Sequence, residues 1–265
     1  MNKRIPVSSD EYDETYFLTC CEGYHEYIDS KGKNLSTRLQ QALDSADIKK
    51  GMKTLDIGCG RGEMISHCAM KGALAYGLDY SKAPVELSKD CVKTVLGNDY
   101  SNKTALIQAD ATRLPFKTNS FDSIFMLDFV EHLYQDELIM AMNEVNRVLK
   151  PDGKIVIHTK PNKWYFEYGY SIYRLICKLK DGKWLPKNPR TEYAKKMHVN
   201  EQSILSMHLL LGKTGFIKKI WLSPPIFQYQ GNNRIIQLIF RSLYHYPLKA
   251  IFSNEIYAIA EKRNI

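Results

Sequence analysis

The sequence predicts an α/β fold, a doubly wound and mostly parallel seven-stranded sheet with two insertions in its C-terminal half. From Met52 onward, short apolar runs alternate with longer amphipathic segments, which is typical of parallel strands joined by crossover helices. A turn containing Gly58, Gly60 and Gly62 follows the first apolar run. A chain of 265 residues is long enough for one such domain with insertions.

Each predicted strand is a short apolar run bounded by turn residues or by a charged segment. Five runs precede residue 160, and the segments between them mostly leave room for a crossover helix, so these strands are predicted to be parallel. The predicted strands are residues 54–58, 74–79, 105–109, 123–127, 154–159, 215–222 and 256–261.

Helical spacing of apolar residues connects these strands. The predicted helices are residues 63–71, 83–96, 131–149, 170–179 and 200–211. The sequence KPDG at 150–153 is predicted as a turn that ends the third of these helices and begins the next strand.

The chain is predicted to form a single domain, 1–265, with four regions. Residues 1–50 are expected to form an N-terminal helical cap, and residues 51–160 the ligand-binding core. Residues 160–198 are rich in aromatic and basic side chains and are expected to form a lid-like insertion. Residues 223–254 form a second, apolar insertion.

Charge is distributed unevenly along the chain. The net charge of +8 combines a net −4 over residues 1–159 with a net +12 over residues 160–265. A basic half is either a solvated surface or a surface for an anionic partner.

The cellular compartment of the protein is predicted from the absence of spanning and signal segments in this sequence. No apolar stretch reaches the roughly 18 residues of a spanning helix, and the first residues have no apolar signal core. The expected location is the cytoplasm, with peripheral membrane contact through residues 223–254 as one alternative to packing or a subunit contact. The six cysteines show no metal-site spacing, so neither a disulfide nor a metal is expected.

The segment LDIGCGRGE, residues 55–63, leaves a strand, turns on glycines and enters a helix. A dinucleotide-binding turn would have a third glycine at position 63, where this chain has Glu63. An acid at that helix start would repel a pyrophosphate. The turn therefore suits a ligand without phosphates, and the Asp56 carboxylate can meet an ammonium group.

Acids also stand at the ends of the next three predicted strands. Asp79 lies 19 residues after Gly60, where a carboxylate can accept hydrogen bonds from both hydroxyls of a ribose. Asp110 and Ala111 are suited to the amino group and ring of an adenine, and Asp128 follows the fourth strand.

Together these residues resemble the class I S-adenosylmethionine-dependent methyltransferases, in particular the type 11 branch with small-molecule enzymes of quinone biosynthesis. The resemblance covers roughly residues 50–160. It implies a Rossmann-like cofactor half, S-adenosyl-L-methionine as cofactor, and enzymatic methyl transfer. The cofactor-binding residues that it implies are Asp56, Gly58, Cys59, Gly60, Arg61, Gly62, Asp79, Tyr80, Ser81, Asp110, Ala111, Asp128 and Phe129.

Methyl transfer from a cationic sulfur is an in-line displacement, for which orientation and exclusion of water supply most of the rate. A hydroxyl acceptor would also benefit from a base, and histidine is best matched to neutral pH. His132, just after the fourth strand, is the predicted catalytic residue, with His158 and His198 as alternatives.

The sequence DFVE at 128–131 limits the classes of methyl acceptor that are expected. Methyltransferases of exocyclic amines commonly carry an Asn/Asp-Pro-Pro-aromatic tetrapeptide there, so an adenine or glutamine acceptor is disfavoured. The expected acceptor is a small or lipid-linked molecule attacked at oxygen, and the basic lid-like insertion favours an anionic one. The alternative is an RNA methyltransferase, or a module that binds cofactor or nucleic acid without turnover. The sequence does not indicate an oligomeric state.

Overall fold

A mixed β-sheet forms the centre of the molecule. The computed structural model describes residues 7–225, 238 and 241–263. The seven described strands have the order β3-β2-β1-β4-β5-β7-β6, and β7 is the one among them that runs in the direction opposite to the others. Their bounds are β1 Lys53–Ile57, β2 Leu74–Asp79, β3 Thr104–Gln108, β4 Phe121–Leu127, β5 Leu149–Thr159, β6 Phe216–Leu222 and β7 Ile256–Lys262. The predicted doubly wound, mostly parallel sheet is confirmed.

Helices cover both faces of this sheet. Their bounds are α1 Glu14–Thr19, α2 Tyr24–Ser30, α3 Thr37–Ala46, α4 Glu63–Met70, α5 Lys82–Leu96, α6 Tyr100–Lys103, α7 Gln135–Val148, α8 Tyr170–Asp181, α9 Glu192–Met197, α10 Ile204–Lys213 and α11 Leu248–Phe252. Along β4, Ile124 and Met126 belong to one apolar cluster, whereas Phe125 and Leu127 belong to the other. This alternation places one cluster on each face of the sheet.

Three predicted boundaries were wrong. The helix predicted from residue 200 begins at Ile204, because the Ser203 side chain accepts the Ser206 N–H and caps the helix there. The helix predicted from residue 131 begins at Gln135, because residues 130–132 form a short 3-10 turn before it. The predicted turn at 150–153 lies within β5, whose pairing with β4 shifts register there. The extra residues are accommodated by this irregularity, so the chain enters the strand without a separate turn.

The first insertion contains more regular structure than its sequence indicates. In addition to α8, residues 160–198 form α9, which begins where Thr191 accepts a hydrogen bond from the Ala194 N–H. Tyr165 and Tyr170 are buried against Phe252 of α11, so the first insertion packs on the end of the second.

The second insertion is described only in part. Two of its apolar residues, Leu243 and Phe252, pack in the same cluster as Tyr170. A third, Leu238, is exposed. The predicted apolar residues Ile226, Phe227, Ile235, Ile236, Ile239 and Phe240, and the cation Arg234, lie outside the described residues. Within the described part of the chain, no helix has the length and apolar character required to cross a bilayer.

Candidate active site

A glycine turn joins β1 to α4 and opens the backbone toward a cavity. Gly58 has a φ of 73°, and a Cβ there would lie 2.6 Å from the Phe129 ring. The N–H groups of Gly58 and Cys59 donate to the Leu78 carbonyl, at 2.8 and 3.1 Å, which fixes the turn against the end of β2. Only glycine fits position 58 without displacing Phe129, as the sequence pattern predicts.

Asp79 ends β2 beside this turn. Its carboxylate accepts the Ser81 N–H at 3.1 Å and, more weakly, the Gly60 N–H at 3.5 Å. Burial raises the pKa of Asp79 to about 6, against the opposing effect of these backbone hydrogen bonds. The group is therefore charged at neutral pH and can accept further hydrogen bonds from ligand hydroxyls.

Asp56 presents an unpaired polar atom to the same cavity. Its carboxylate is buried, and its Oδ1 has no hydrogen-bond partner among the described residues. Burial, followed by the nearby Glu63 and Asp79, raises the pKa of Asp56 well above its usual range. A cationic ligand group would supply the missing partner and favour the charged carboxylate.

The end of β3 contributes Asp110 and Ala111 to the cavity wall. Asp110 accepts the Thr112 N–H at 2.8 Å, which fixes the loop, and Ala111 is buried. The predicted adenine-binding residues thus lie in one cavity with Asp56 and Asp79.

Asp128 lies at the end of β4 with a φ of 51° and has two charged partners. Its Oδ2 lies 2.6 Å from Arg38 Nη1 of α3, and its Oδ1 lies 2.6 Å from His158 Nδ1 of β5. Burial alone would raise its pKa, but Arg38 and His158 hold the pKa of Asp128 below its usual range. His158 is completely buried behind Asp128, whereas Asp128 and Phe129 reach the cavity.

His132 lies on the cavity wall in the 3-10 turn after β4. Its Nδ1 lies 3.0 Å from the Tyr12 hydroxyl, and its ring meets that of His198 edge-on at 4.9 Å between centroids. Burial, followed by His198, lowers the pKa of His132 to about 3. The ring is therefore neutral at physiological pH and can accept a hydrogen bond.

Glu131, His132 and His198 are the group among the described residues that could hold a metal ion, with ligand atoms within 4.8 Å of one another. Glu131 already accepts the Thr159 hydroxyl at 2.9 Å, and His132 is bonded to Tyr12. These contacts occupy two of the three groups without a cation, and the expectation of no metal stays a prediction.

Side chains from the expected N-terminal cap cover the cavity, but the sequence did not indicate which of them line it. The volume of the cavity is about 380 Å³, and it is closed by side chains from residues 7–39. The covering residues are Val7, Tyr12, Tyr16, Phe17, Cys21, Arg38 and Leu39. The signal that could have indicated them is the concentration of aromatic residues over positions 12–17.

Three predicted cofactor-binding residues anchor this cover. Arg61 is buried and donates to the Phe17 carbonyl and to the Glu22 carbonyl, each at 2.8 Å. The Tyr80 hydroxyl donates to the Val7 carbonyl at 3.0 Å, and the Ser81 hydroxyl to the Ser9 carbonyl at 2.7 Å. The polar groups of all three side chains therefore point toward this cover.

Three basic residues of the first insertion, Lys160, Lys163 and Arg174, have partners within the protein. Lys160 lies 2.9 Å from a Glu22 oxygen, and Lys163 lies 3.7 Å from a Glu167 oxygen. Arg174 donates to the Leu185 carbonyl at 3.1 Å. Residues 7–39, rather than 160–198, supply the side chains that cover the described cavity.

Comparison with known proteins identifies this arrangement. Residues 55–157, which run from within β1 through the glycine turn to most of β5, match a family model described as a methyltransferase domain. These residues form a class I methyltransferase domain. The cofactor of such a domain is S-adenosylmethionine, and the cavity offers partners for its ammonium group and its ribose. The predicted family is confirmed for residues 55–157, and the predicted cofactor is the one that such a domain uses.

Curated relatives share this methyltransferase domain over part of their length. The demethylmenaquinone methyltransferase of Staphylococcus aureus is 30% identical over 139 residues, which is 51% of this chain and 54% of the relative. The methyltransferase GfsG of Streptomyces halstedii is 31% identical over 119 residues, which is 44% of this chain and 41% of the relative. The matched region thus spans about half the length of these relatives.

Solved structures share the fold. A phosphoethanolamine N-methyltransferase 2 of Haemonchus contortus, in complex with phosphomonomethylethanolamine and S-adenosylhomocysteine, matches with a TM-score of 0.58 and 18% identity. The match covers 85% of this chain and 52% of that one.

Proposed function

We propose that this protein transfers the methyl group of S-adenosylmethionine to a hydroxyl oxygen of a small or lipid-linked acceptor. The observation that carries the proposal is the continuity of one cavity. The unpaired Asp56 carboxylate and Asp79 line the same cavity as the Tyr12–His132 pair. A cofactor and an acceptor can therefore meet inside it under the aromatic cover.

Each end of the cofactor has a partner of matching chemistry. Asp56 would pair with the ammonium group, and Asp79 would accept the ribose hydroxyls. Asp110 and Ala111 would hold the adenine. When bound, the cofactor would supply a methyl group on a cationic sulfur. An oxygen lone pair could attack the methyl carbon, with the sulfur as the leaving group.

Orientation is the main contribution of the protein to such a displacement. Tyr12 and Phe17 are buried in the cover, so closure of residues 7–39 excludes water from the reacting groups. Arg38 and His158 hold Asp128 in one position at the end of β4, beside the Phe129 ring that defines the glycine turn.

The acceptor hydroxyl needs a hydrogen-bond acceptor on the protein. We assign this role to His132 Nδ1, which is neutral and faces the Tyr12 hydroxyl at 3.0 Å. An acceptor hydroxyl would replace or extend this bond and would be oriented by it. Because the pKa of His132 is low, the ring orients the hydroxyl rather than removing its proton before attack. The proton becomes strongly acidic once the oxygen bears the methyl group, and it would then pass to His132 Nδ1.

Aromatic and apolar side chains form much of the cavity wall, which suits an acceptor with a ring or an alkyl chain. These side chains include Tyr12, Tyr16, Phe17, Phe129, Leu133 and Met140. The Staphylococcus aureus relative is named for demethylmenaquinone. We therefore favour an apolar, ring-bearing acceptor over a nucleic acid.

The experiment is incubation of the protein with cofactor labelled in its methyl group and with a fractionated cell extract. Label is expected in the lipid or small-molecule fraction. The same reaction with Asp79→Ala should show a reduced rate at limiting cofactor, and the exposed Asp29→Ala serves as its control. Label found only in RNA or protein, or no transfer by protein that binds cofactor, would contradict the proposal.

A further inference from the structure

Helix α8 exposes apolar side chains on the face that it turns away from the protein. Tyr170 is buried and Tyr173 is half-buried against α11, as expected for the packed face. The opposite face carries a stripe at helical spacing whose members are between 38% and 79% exposed. This stripe, the α8 stripe, is Ile172, Leu175, Ile176 and Leu179.

Basic residues accompany the α8 stripe in the sequence. Between residues 170 and 187 there are five Lys and Arg against one acid, Asp181. Lys183 and Lys187 are exposed, and Arg174 lies over the exposed Trp184 ring at 5.3 Å from its centroid. An apolar helical face with flanking cations and a tryptophan is the pattern of a helix that lies in a membrane interface.

We propose that α8 is a docking surface for an anionic phospholipid bilayer. Its aliphatic side chains would enter the boundary between headgroups and acyl chains, and the surrounding cations would contact the lipid phosphates. The site lies outside the described cavity, and the inference goes beyond methyl transfer. Its test therefore needs neither cofactor nor acceptor.

Other occupants fit these features less well. In a symmetric dimer through the α8 stripe, the basic residues of both copies would lie side by side and repel each other. A nucleic acid would satisfy the cations but would leave four aliphatic side chains against phosphates and sugars, whereas single strands are bound by stacking on aromatic rings. A bilayer satisfies both the charges and the aliphatic stripe.

The test is co-sedimentation with vesicles of phosphatidylcholine, with or without phosphatidylglycerol. Binding is expected only with phosphatidylglycerol, and it should weaken as salt rises. The double variant Leu175→Glu/Leu179→Glu should lower the vesicle affinity at least about tenfold, because it removes two apolar groups that would enter the bilayer and adds two anions.

A matched control is available on α10. Leu205 and Leu209 have the same spacing and are 52% and 61% exposed, so Leu205→Glu/Leu209→Glu makes the same chemical change elsewhere. This variant should bind vesicles like the unmodified protein. The Trp184 emission should also shift to shorter wavelength on binding, and Trp184→Phe should remove that shift.

Several results would overturn the proposal. These are no binding to phosphatidylglycerol vesicles at low salt, equal binding to both vesicle types, and equal loss in the α8 and α10 variants. A concentration-dependent dimer that only the α8 variant dissociates would instead assign the stripe to a second copy of the chain.

Discussion

The contact between Arg38 and Asp128 should be one of the most stabilising polar interactions that hold the cap on the methyltransferase domain. Arg38 is only 7% exposed, and its Nη1 lies 2.6 Å from Asp128. Loss of one partner from a buried ion pair destabilises a protein by about 3–5 kcal/mol. In Arg38→Met, Asp128 would keep its contact with His158, and the methionine would retain the apolar stem. We therefore expect this variant to lower the free energy of unfolding by about 3 kcal/mol, near the lower end of that range.

Denaturant unfolding of four proteins measures this effect: the unmodified chain, Arg38→Met, Asp128→Asn and the double variant. The two single changes should be non-additive, with a coupling free energy of roughly 0.5–3 kcal/mol. The exposed pair Glu192–Lys195, with its ion pair at 2.6 Å, provides the control. Lys195→Met should change the free energy of unfolding by less than about 1 kcal/mol.

The pH dependence has a defined sign. The folded-state pKa of Asp128 is below its unfolded value of about 3.9. Its stabilising contribution is therefore present above pH 4 and is lost as the pH falls toward the folded-state pKa. Additive single changes, or an Arg38→Met effect no larger than that of Lys195→Met, would refute this reasoning.

Three further predictions concern the cavity. Because the pKa of Asp79 is about 6 and its charged form accepts hydrogen bonds, cofactor affinity measured by calorimetry should fall at least roughly tenfold per pH unit below pH 6, and Asp79→Asn should reduce this slope to the part that protonation of Asp56 contributes. Gly58→Ala should weaken cofactor binding by about 1–3 kcal/mol through backbone strain and the clash with Phe129, whereas Gly97→Ala, with a similar φ and open space around it, should leave affinity unchanged in the same titration. His132→Ala should lower kcat at least about tenfold with unchanged cofactor affinity, and an unchanged kcat would contradict its assigned role.

Local sequence pattern was sufficient to predict the sheet, but it was insufficient to predict the contacts by which residues 7–39 cover the cavity. Strand β2 has its predicted bounds because an apolar run between charged or turn residues is a local signal. The helix that begins at Gln135 was predicted to begin at residue 131. This prediction was wrong because the buried Glu131 and the half-buried His132 lie in the preceding turn and do not follow helical periodicity. Their contacts depend on Thr159 and on Tyr12, which are distant in sequence.

The cap illustrates the same limit for the candidate site. The glycine turn and the acids at strand ends could be predicted, because each stands where a strand pattern ends. Arg38 could not, since a charged residue on an amphipathic helix is usually exposed, and only the folded chain brings it to Asp128. Tyr12 and His132 are separated by 120 positions, and no local pattern indicates their contact.

The most direct test of the central claim is calorimetric titration of the protein with S-adenosylhomocysteine, the demethylated cofactor. The unmodified protein and the exposed control Asp29→Ala should bind with a dissociation constant in the micromolar range. Asp79→Ala should bind at least about tenfold more weakly, because each charge-assisted hydrogen bond to a hydroxyl contributes roughly 1.5–3 kcal/mol. Equal affinity in Asp79→Ala and the unmodified protein would contradict the placement of the cofactor in this cavity.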